Sequence, residues 1–283
     1  MKKLPIPTVN DVHSTTETAE NKRLKKTSYP LLALSLPAIL NEYDTYQNNN
    51  GNALNITPLG INRSLKIGLH KNYASPPNSL LHIAKIRASS PRVCPMCGSP
   101  KTTSLDHLLP KEDYPEFSIF SKNLVPACDC NSKRGKATKN QLTGARVLHP
   151  YFDCCMLERQ LSCSISPRLR FPQVDIAIAY ANPTDPLITS IEFHYDKVVK
   201  PSGLIGWLES QWSSLVDYPG GVIHTLPQER ITTADELRGY LEDALQRYDR
   251  SHGTPNNWYS IFVHGLLESD GVLPWLLEAH NNT

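Results

Sequence analysis

CPMCGSPKTTSLDHLLPKEDYPEFSIFSKNLVPACDCNSKRGK, running from Cys94 to Lys136, is the stretch that decides how this chain is read. Two close cysteine pairs bracket it. The Cys94-x-x-Cys97 knuckle bends the backbone so that two thiolates face one cation, and the second pair, Cys128 and Cys130, completes a tetrahedral four-cysteine site of the kind that holds structural zinc. A short hairpin and one helix bury too little surface to hold a shape alone, so the metal supplies folding free energy that the small core lacks. The cysteine count is seven, an odd number, in a chain without a secretory leader, which favours metal binding over disulfides. Cys154, Cys155 and Cys163 are read as ordinary buried thiols, because adjacent cysteines rarely chelate one ion.

Between the pairs lies Asp106-His107. An imidazole with an ordinary pKa near ~6.5 can take a proton from water at neutral pH, and the neighbouring carboxylate offers a hard oxygen to a divalent cation. Strand alternation sends consecutive side chains to opposite faces, so the two serve one site only where a strand ends, and Pro110 fits such an ending. A solitary Asp-His is more often a surface turn; here the flanking order of motifs raises its weight.

The whole pattern, CPMCG, LDHLLPK, NLVPACDCN and SKRGK in that order, resembles the cysteine-bearing HNH, or ββα-metal, nucleases, over a small part of the chain. The resemblance implies that His107 is the general base, that Asp106 and Asn131 hold a catalytic divalent ion, and that Asn123 braces the loop aiming His107. A carboxylate and an amide oxygen are hard ligands, so magnesium suits them better than the zinc held by Cys94, Cys97, Cys128 and Cys130. One departure stands out: Cys128-Asp129-Cys130 is a residue tighter than the usual C-x-x-C. A missing residue at a helix start turns the rest of the helix by about 100 degrees, which puts Asp129 in reserve as the ion's ligand should Asn131 miss it. Asn131 also has the alternative role of helix N-cap.

Downstream, residues 130–152 carry Lys133, Arg134, Lys136, Lys139 and Arg146 and no acidic residue. Placed on the helix beside the motif, these cations are expected to neutralise backbone phosphates in a salt-sensitive, sequence-tolerant way. The alternative is a solvated basic face. LHPYFD, Leu148–Asp153, closes the unit, with His149 and Asp153 read first as parts of a packed, hydrogen-bonded turn. His194, His224 and His264 read as core or surface histidines.

The rest of the chain bounds these expectations. A hydrophobic content of 40% allows a buried core, and a net charge of +2 excludes a globally basic nucleic-acid binder. YPLLALSLPAIL, from Tyr29 to Leu40, is too short and too proline-broken to be a membrane span, so a cytoplasmic location and no membrane partner are expected. Residues 1–28 look like a loose polar arm. Residues 29–90 show helix-compatible apolar clusters (Leu36, Ile39, Leu40, Tyr43; Leu80, Leu81, Ile83, Ala84). Beyond the 91–153 module, residues 154–283 are expected to form an α+β region of unassigned role. Both VDIAIAYA and ITSIEFHYDKVV alternate as strands, Thr233–Arg250 is an amphipathic helix with a Thr233–Glu236 capping box, and Asn256–Glu278 is a packed helical end. The fold class predicted is α+β, and the predicted activity is metal-dependent hydrolysis of DNA. The resemblance further suggests a role in bacterial anti-phage defence or as a toxin-like effector, with an ATPase as the partner expected. Two rivals stay open: a non-catalytic zinc module that binds nucleic acid or protein, and an RNase or tRNA-cleaving toxin sharing the same site.

Overall fold

The antiparallel pair β1 (Ser104–His107) and β2 (Leu124–Ala127) sits at the centre of the molecule, with His107 opposite Leu124 and Asp106 opposite Val125. In this computed structural model, which describes residues 1–282, the pair separates two hydrophobic cores, and period-two alternation explains how. Leu105 and Leu124 face a core built with Leu32, Ile39, Tyr43, Tyr46, Leu65 and Leu69 from the N-terminal helices. Val125 and Ala127 face the other core, shared with Cys94, Cys97, Cys128, Cys130 and the C-terminal Trp258 and Phe262.

Before the pair come α1 (Asp11–Glu20), α2 (Leu31–Asn48), α3 (Arg63–Ala74) and α4 (Leu81–Ala88). After it come α5 (Cys130–Arg134), the two-residue strands β3 (Lys139–Asn140) and β4 (Ala145–Arg146), and the hairpin β5 (Leu161–Pro167) and β6 (Val174–Tyr180), with Leu161 opposite Tyr180. The chain ends in α6 (Ile188–His194), α7 (Leu204–Asp217), α8 (Pro219–Val222), α9 (Ala234–His252), α10 (Trp258–Glu268) and α11 (Val272–Asn281). The fold is mixed α+β, with helices covering small antiparallel sheets. Among the described residues no helix is long and apolar enough to cross a membrane.

Several local expectations hold. VDIAIAYA supplies β6, and the helix predicted from Thr233 is α9, with the Thr233 hydroxyl accepting the Glu236 N–H at 3.2 Å. The Glu236 carboxylate reaches the Thr232 N–H instead of that of Thr233, so the capping box closes one residue early.

Others are corrected. Residues 1–28 are not a loose arm: α1 is capped by Asn10 and packs through polar contacts, with Thr18 bonded to Ser79 and Asp11 accepting from Ser121 and Lys122. Its contact face is polar, so apolar periodicity could not reveal it. ITSIEFHYDKVV is helical rather than extended; Ile191, His194 and Val198 are all buried, at helical spacing, and face the core together. The basic helix after Cys130 stops at Arg134, where Gly135 at φ 61° takes a backbone conformation that other residues resist, and Lys139 and Arg146 lie on β3 and β4 instead. Cys163 is buried as expected, whereas Cys154 is exposed and Cys155 half-buried.

Candidate metal centre and the cleft beside it

The first knuckle turns at Gly98, whose N–H returns to the Cys94 carbonyl at 2.9 Å and whose φ is 79°. A Cβ there would stand 2.2 Å from the Asn256 carbonyl oxygen, so glycine is required both by conformation and by space. The C-terminal region fixes the knuckle through its peptide carbonyls: Trp258 Nε1 donates to Cys97 O at 2.8 Å and His194 Nε2 to Met96 O at 2.6 Å. Leu148 N–H donates to the other ring nitrogen of His194, so its proton sits on Nε2. The second pair arrives from the end of β2 and the first residue of α5.

Together they form one buried cluster. The four sulfurs all lie within 4.8 Å of one another, with Cys94–Cys130 at 3.7 Å and Cys97–Cys128 at 3.5 Å. Sulfurs about 2.3 Å from a tetrahedral ion stand about 3.8 Å apart, so the cluster has the dimensions of a tetrathiolate metal site. Donors surround it: the Cys128 N–H points at Cys94 Sγ, the Cys130 N–H at Cys128 Sγ, and the Ser99 hydroxyl at Cys128 Sγ. Hydrogen bonds from its neighbours, Cys128 first, pull the Cys97 thiol well below its usual range, and those from Cys130 and Cys94 bring Cys128 down to about 6. Cys94 and Cys130 are pushed up in turn, because thiols this close cannot all ionise without a cation. The residues present can hold a metal ion.

Beside α5 lies a cleft of about 300 Å³, lined by Asp106, His107, Pro110, Lys111, Asn131, Arg134 and their neighbours. His107 ends β1, which is where the alternation argument required it. Its Nε2–H donates to the Ser118 carbonyl at 2.9 Å, and a carbonyl can only accept, so Nδ1 carries the bare lone pair. That Nδ1 lies 3.5 Å from the Asp106 carboxylate and finds no hydrogen bond among the described residues. The imidazole is almost fully buried, at 1% side-chain exposure, and Asp106, at 29%, roofs it. Burial would raise the Asp106 carboxyl, but its neighbours His107, whose backbone N–H donates to it at 2.8 Å, and Asn131 outweigh it and hold the group at about 2. The Tyr73 ring flanks the imidazole at 4.3 Å between centroids, while its hydroxyl donates to the Leu105 carbonyl.

Asn131 is not the N-cap of α5; that position belongs to Asp129. Its Nδ2 donates to the His107 carbonyl at 3.0 Å, which leaves the buried Oδ1 facing the cleft without a donor among the described residues. The shortened knuckle therefore keeps Asn131 beside Asp106. The reserve residue Asp129 points away, more than half exposed and ion-paired with Lys133 at 2.9 Å. Asn123 is fully buried and clamps both ends of the loop after His107: it accepts from Leu109 N–H at 2.8 Å and donates to the carbonyls of Leu109 and Phe117.

A network that no local sequence pattern announces stands behind Asn123. Tyr151 N–H donates to His149 Nδ1, so Nε2 carries the proton and donates to the Tyr46 hydroxyl, which donates to Asn123 Oδ1 at 3.2 Å. Tyr46 comes from α2 and His149 from the LHPYFD segment, so the link is purely tertiary.

The predicted cations divide. Lys133 and Lys136 are exposed near the cleft, paired with Asp129 and Asp113. Arg134 is buried in the cleft wall. Lys139 donates to the carbonyls of Ala53 and Ile56, and Arg146 forms a buried two-pronged pair with Asp153 at 2.6 Å on each oxygen. These last two are structural ties: their donors are spent inside the protein, contrary to the phosphate-binding expectation.

The fold and the site thus define an α+β protein in which a two-stranded sheet and a short helix carry a buried four-cysteine cluster and, beside it, a histidine-lined cleft. Among known proteins the chain is similar to protein ea31 of Escherichia phage lambda, 42% identical over 71 residues, a match spanning 23% of this chain and 23% of that relative. No protein-family model matches the chain. No solved structure matches it either.

Proposed function

We propose that this protein is a zinc-stabilised, divalent-metal-dependent endonuclease of the HNH type. The observation that carries the reading is the convergence of three acceptors on one cleft: the bare Nδ1 of His107, the Asp106 carboxylate and the donor-free Oδ1 of Asn131. Buried acceptors without donors are costly unless a cation or a proton supply answers them. Zinc bound by Cys94, Cys97, Cys128 and Cys130 would tie the knuckle ahead of β1 to the end of β2 and the start of α5. Asp106 and Asn131 would hold a magnesium-like ion, which would supply charge neutralisation at the scissile phosphate.

The chain's own residues do the rest. His107 Nδ1 takes a proton from water; the resulting hydroxide oxygen bonds to phosphorus as the bond to the leaving sugar oxygen breaks, that oxygen takes a proton from solvent, and the imidazolium returns its own proton to solvent. The Ser118 carbonyl fixes the tautomer that this requires, and Asn123 holds the loop from which Ser118 presents it. All these groups address the phosphate that DNA and RNA share; DNA is the substrate proposed, and RNA is the comparison that tests it.

A second reading draws on one observation, the near-complete burial of the imidazole: His107 is a structural hydrogen-bond donor in a non-catalytic binding module. Nicking of supercoiled plasmid separates the two. The nuclease needs magnesium, carries about one zinc per chain, and loses activity in His107→Ala with zinc retained. A protein that shifts DNA mobility but leaves it uncut, in magnesium and with zinc bound, refutes the nuclease reading.

A further inference from the structure

Arg134 is the side chain in this cleft that local pattern explains least. It ends α5 at 6% exposure; its NH2 donates to the His107 carbonyl at 3.2 Å, while Nε and NH1 are sealed from solvent with no acceptor among the described residues. Burial lowers its pKa only to about 10, so the guanidinium keeps its charge at neutral pH. A buried cation without a paired carboxylate is expensive, and a fold that retains one gains something from the charge. Two groups that can carry negative charge adjoin it: Asp106 in the cleft, and Cys130 one helical turn back, whose sulfur is charged only with a cation bound to the cluster. In the nuclease reading, Asp106 is committed to the divalent ion.

We propose that Arg134 is the fixed positive charge against which a phosphodiester anion is held in the cleft, and that it positions His107 at the same time through its carbonyl. The inference rests on the nuclease reading and deepens it. The partner must be anionic, since a neutral substrate leaves the buried charge unanswered. A preorganised cation in a low-dielectric wall acts most strongly where negative charge accumulates, which in phosphodiester hydrolysis is the pentavalent phosphate. Its effect belongs chiefly in kcat, with one phosphate contact's worth in binding.

The test compares the wild-type chain with Arg134→Lys and Arg134→Gln, using supercoiled plasmid with magnesium for rate and a short fluorescent DNA duplex with calcium for affinity across a salt series. Zinc content and thermal midpoint are measured on each. Arg134→Gln is expected to lower kcat by about 10²–10³-fold while KM moves only a few-fold, and Arg134→Lys, keeping the charge, to recover about tenfold of that loss. The slope of log affinity against log salt should shrink by about 1 in Arg134→Gln. Wild-type kcat and salt slope in both variants, with zinc bound, overturn the proposal. Loss of zinc from both also overturns it, because Arg134 is then the counter-ion of the thiolates. Should wild-type protein cut neither DNA nor RNA, the nuclease reading falls separately, and the salt slope still decides whether Arg134 meets a phosphate.

Discussion

Replacing Asn123 by alanine probes the brace behind the cleft, and its magnitude can be worked from the contacts. The side chain is fully buried, accepts from Leu109 N–H at 2.8 Å and from the Tyr46 hydroxyl at 3.2 Å, and donates to the Leu109 carbonyl at 3.0 Å. Alanine strands the N–H and the carbonyl of Leu109, and each buried polar group left without a partner costs about 1–3 kcal/mol. Two such groups give a loss of about 2–6 kcal/mol, a large share of the roughly 5–15 kcal/mol that holds a domain folded. Tyr46→Phe removes only the link between His149 and Asn123 and should cost about 1 kcal/mol. The two changes share a bond, so the double variant should lose less than the sum. Urea unfolding of zinc-loaded protein reads all three values. An Asn123→Ala loss under about 1 kcal/mol would refute the bracing argument, since Leu109 would then have other partners.

The remaining expectations address the metal, the cations and pH. Cys97→Ser should abolish stoichiometric zinc and lower the thermal midpoint, and a strong chelator should do the same to wild type; equal melting with and without chelator contradicts a structural ion. Arg146→Ala breaks a buried pair and leaves the Asp153 carboxylate with the His149 N–H but without its cation, at a cost of about 3–5 kcal/mol, with no change in the salt slope of DNA binding; a reduced slope would restore Arg146 as a phosphate contact. Burial holds His149 and His194 at about 3 in the folded chain, against 6.5 when unfolded. The unfolded state therefore takes protons that the native state refuses: the stability is intact above pH ~6.5 and falls as pH drops toward 3, by up to about 1.4 kcal/mol per pH unit for each residue. Urea midpoints that stay flat from neutral pH down to pH ~4 would show that these imidazoles are not buried neutral.

What the amino-acid sequence determined by itself was local. Spacing alone brought Cys94, Cys97, Cys128 and Cys130 into one reading, because a knuckle turn and a strand end convert separation along the chain into direction. The period of two placed His107 at a strand terminus, and the period of 3.6 found α9 with its Thr233 cap. What only the tertiary structure decided was which partner each charge and ring would meet. Arg146 reads like Lys133 in sequence, yet one is locked onto Asp153 and the other stands exposed beside Asp129. α1 was invisible because its contacts are polar and its acceptors serve residues far along the chain. The physical reason is common to these cases: backbone geometry is set by neighbours a few residues away, whereas the work a polar side chain does is set by the donors and acceptors that folding carries to it.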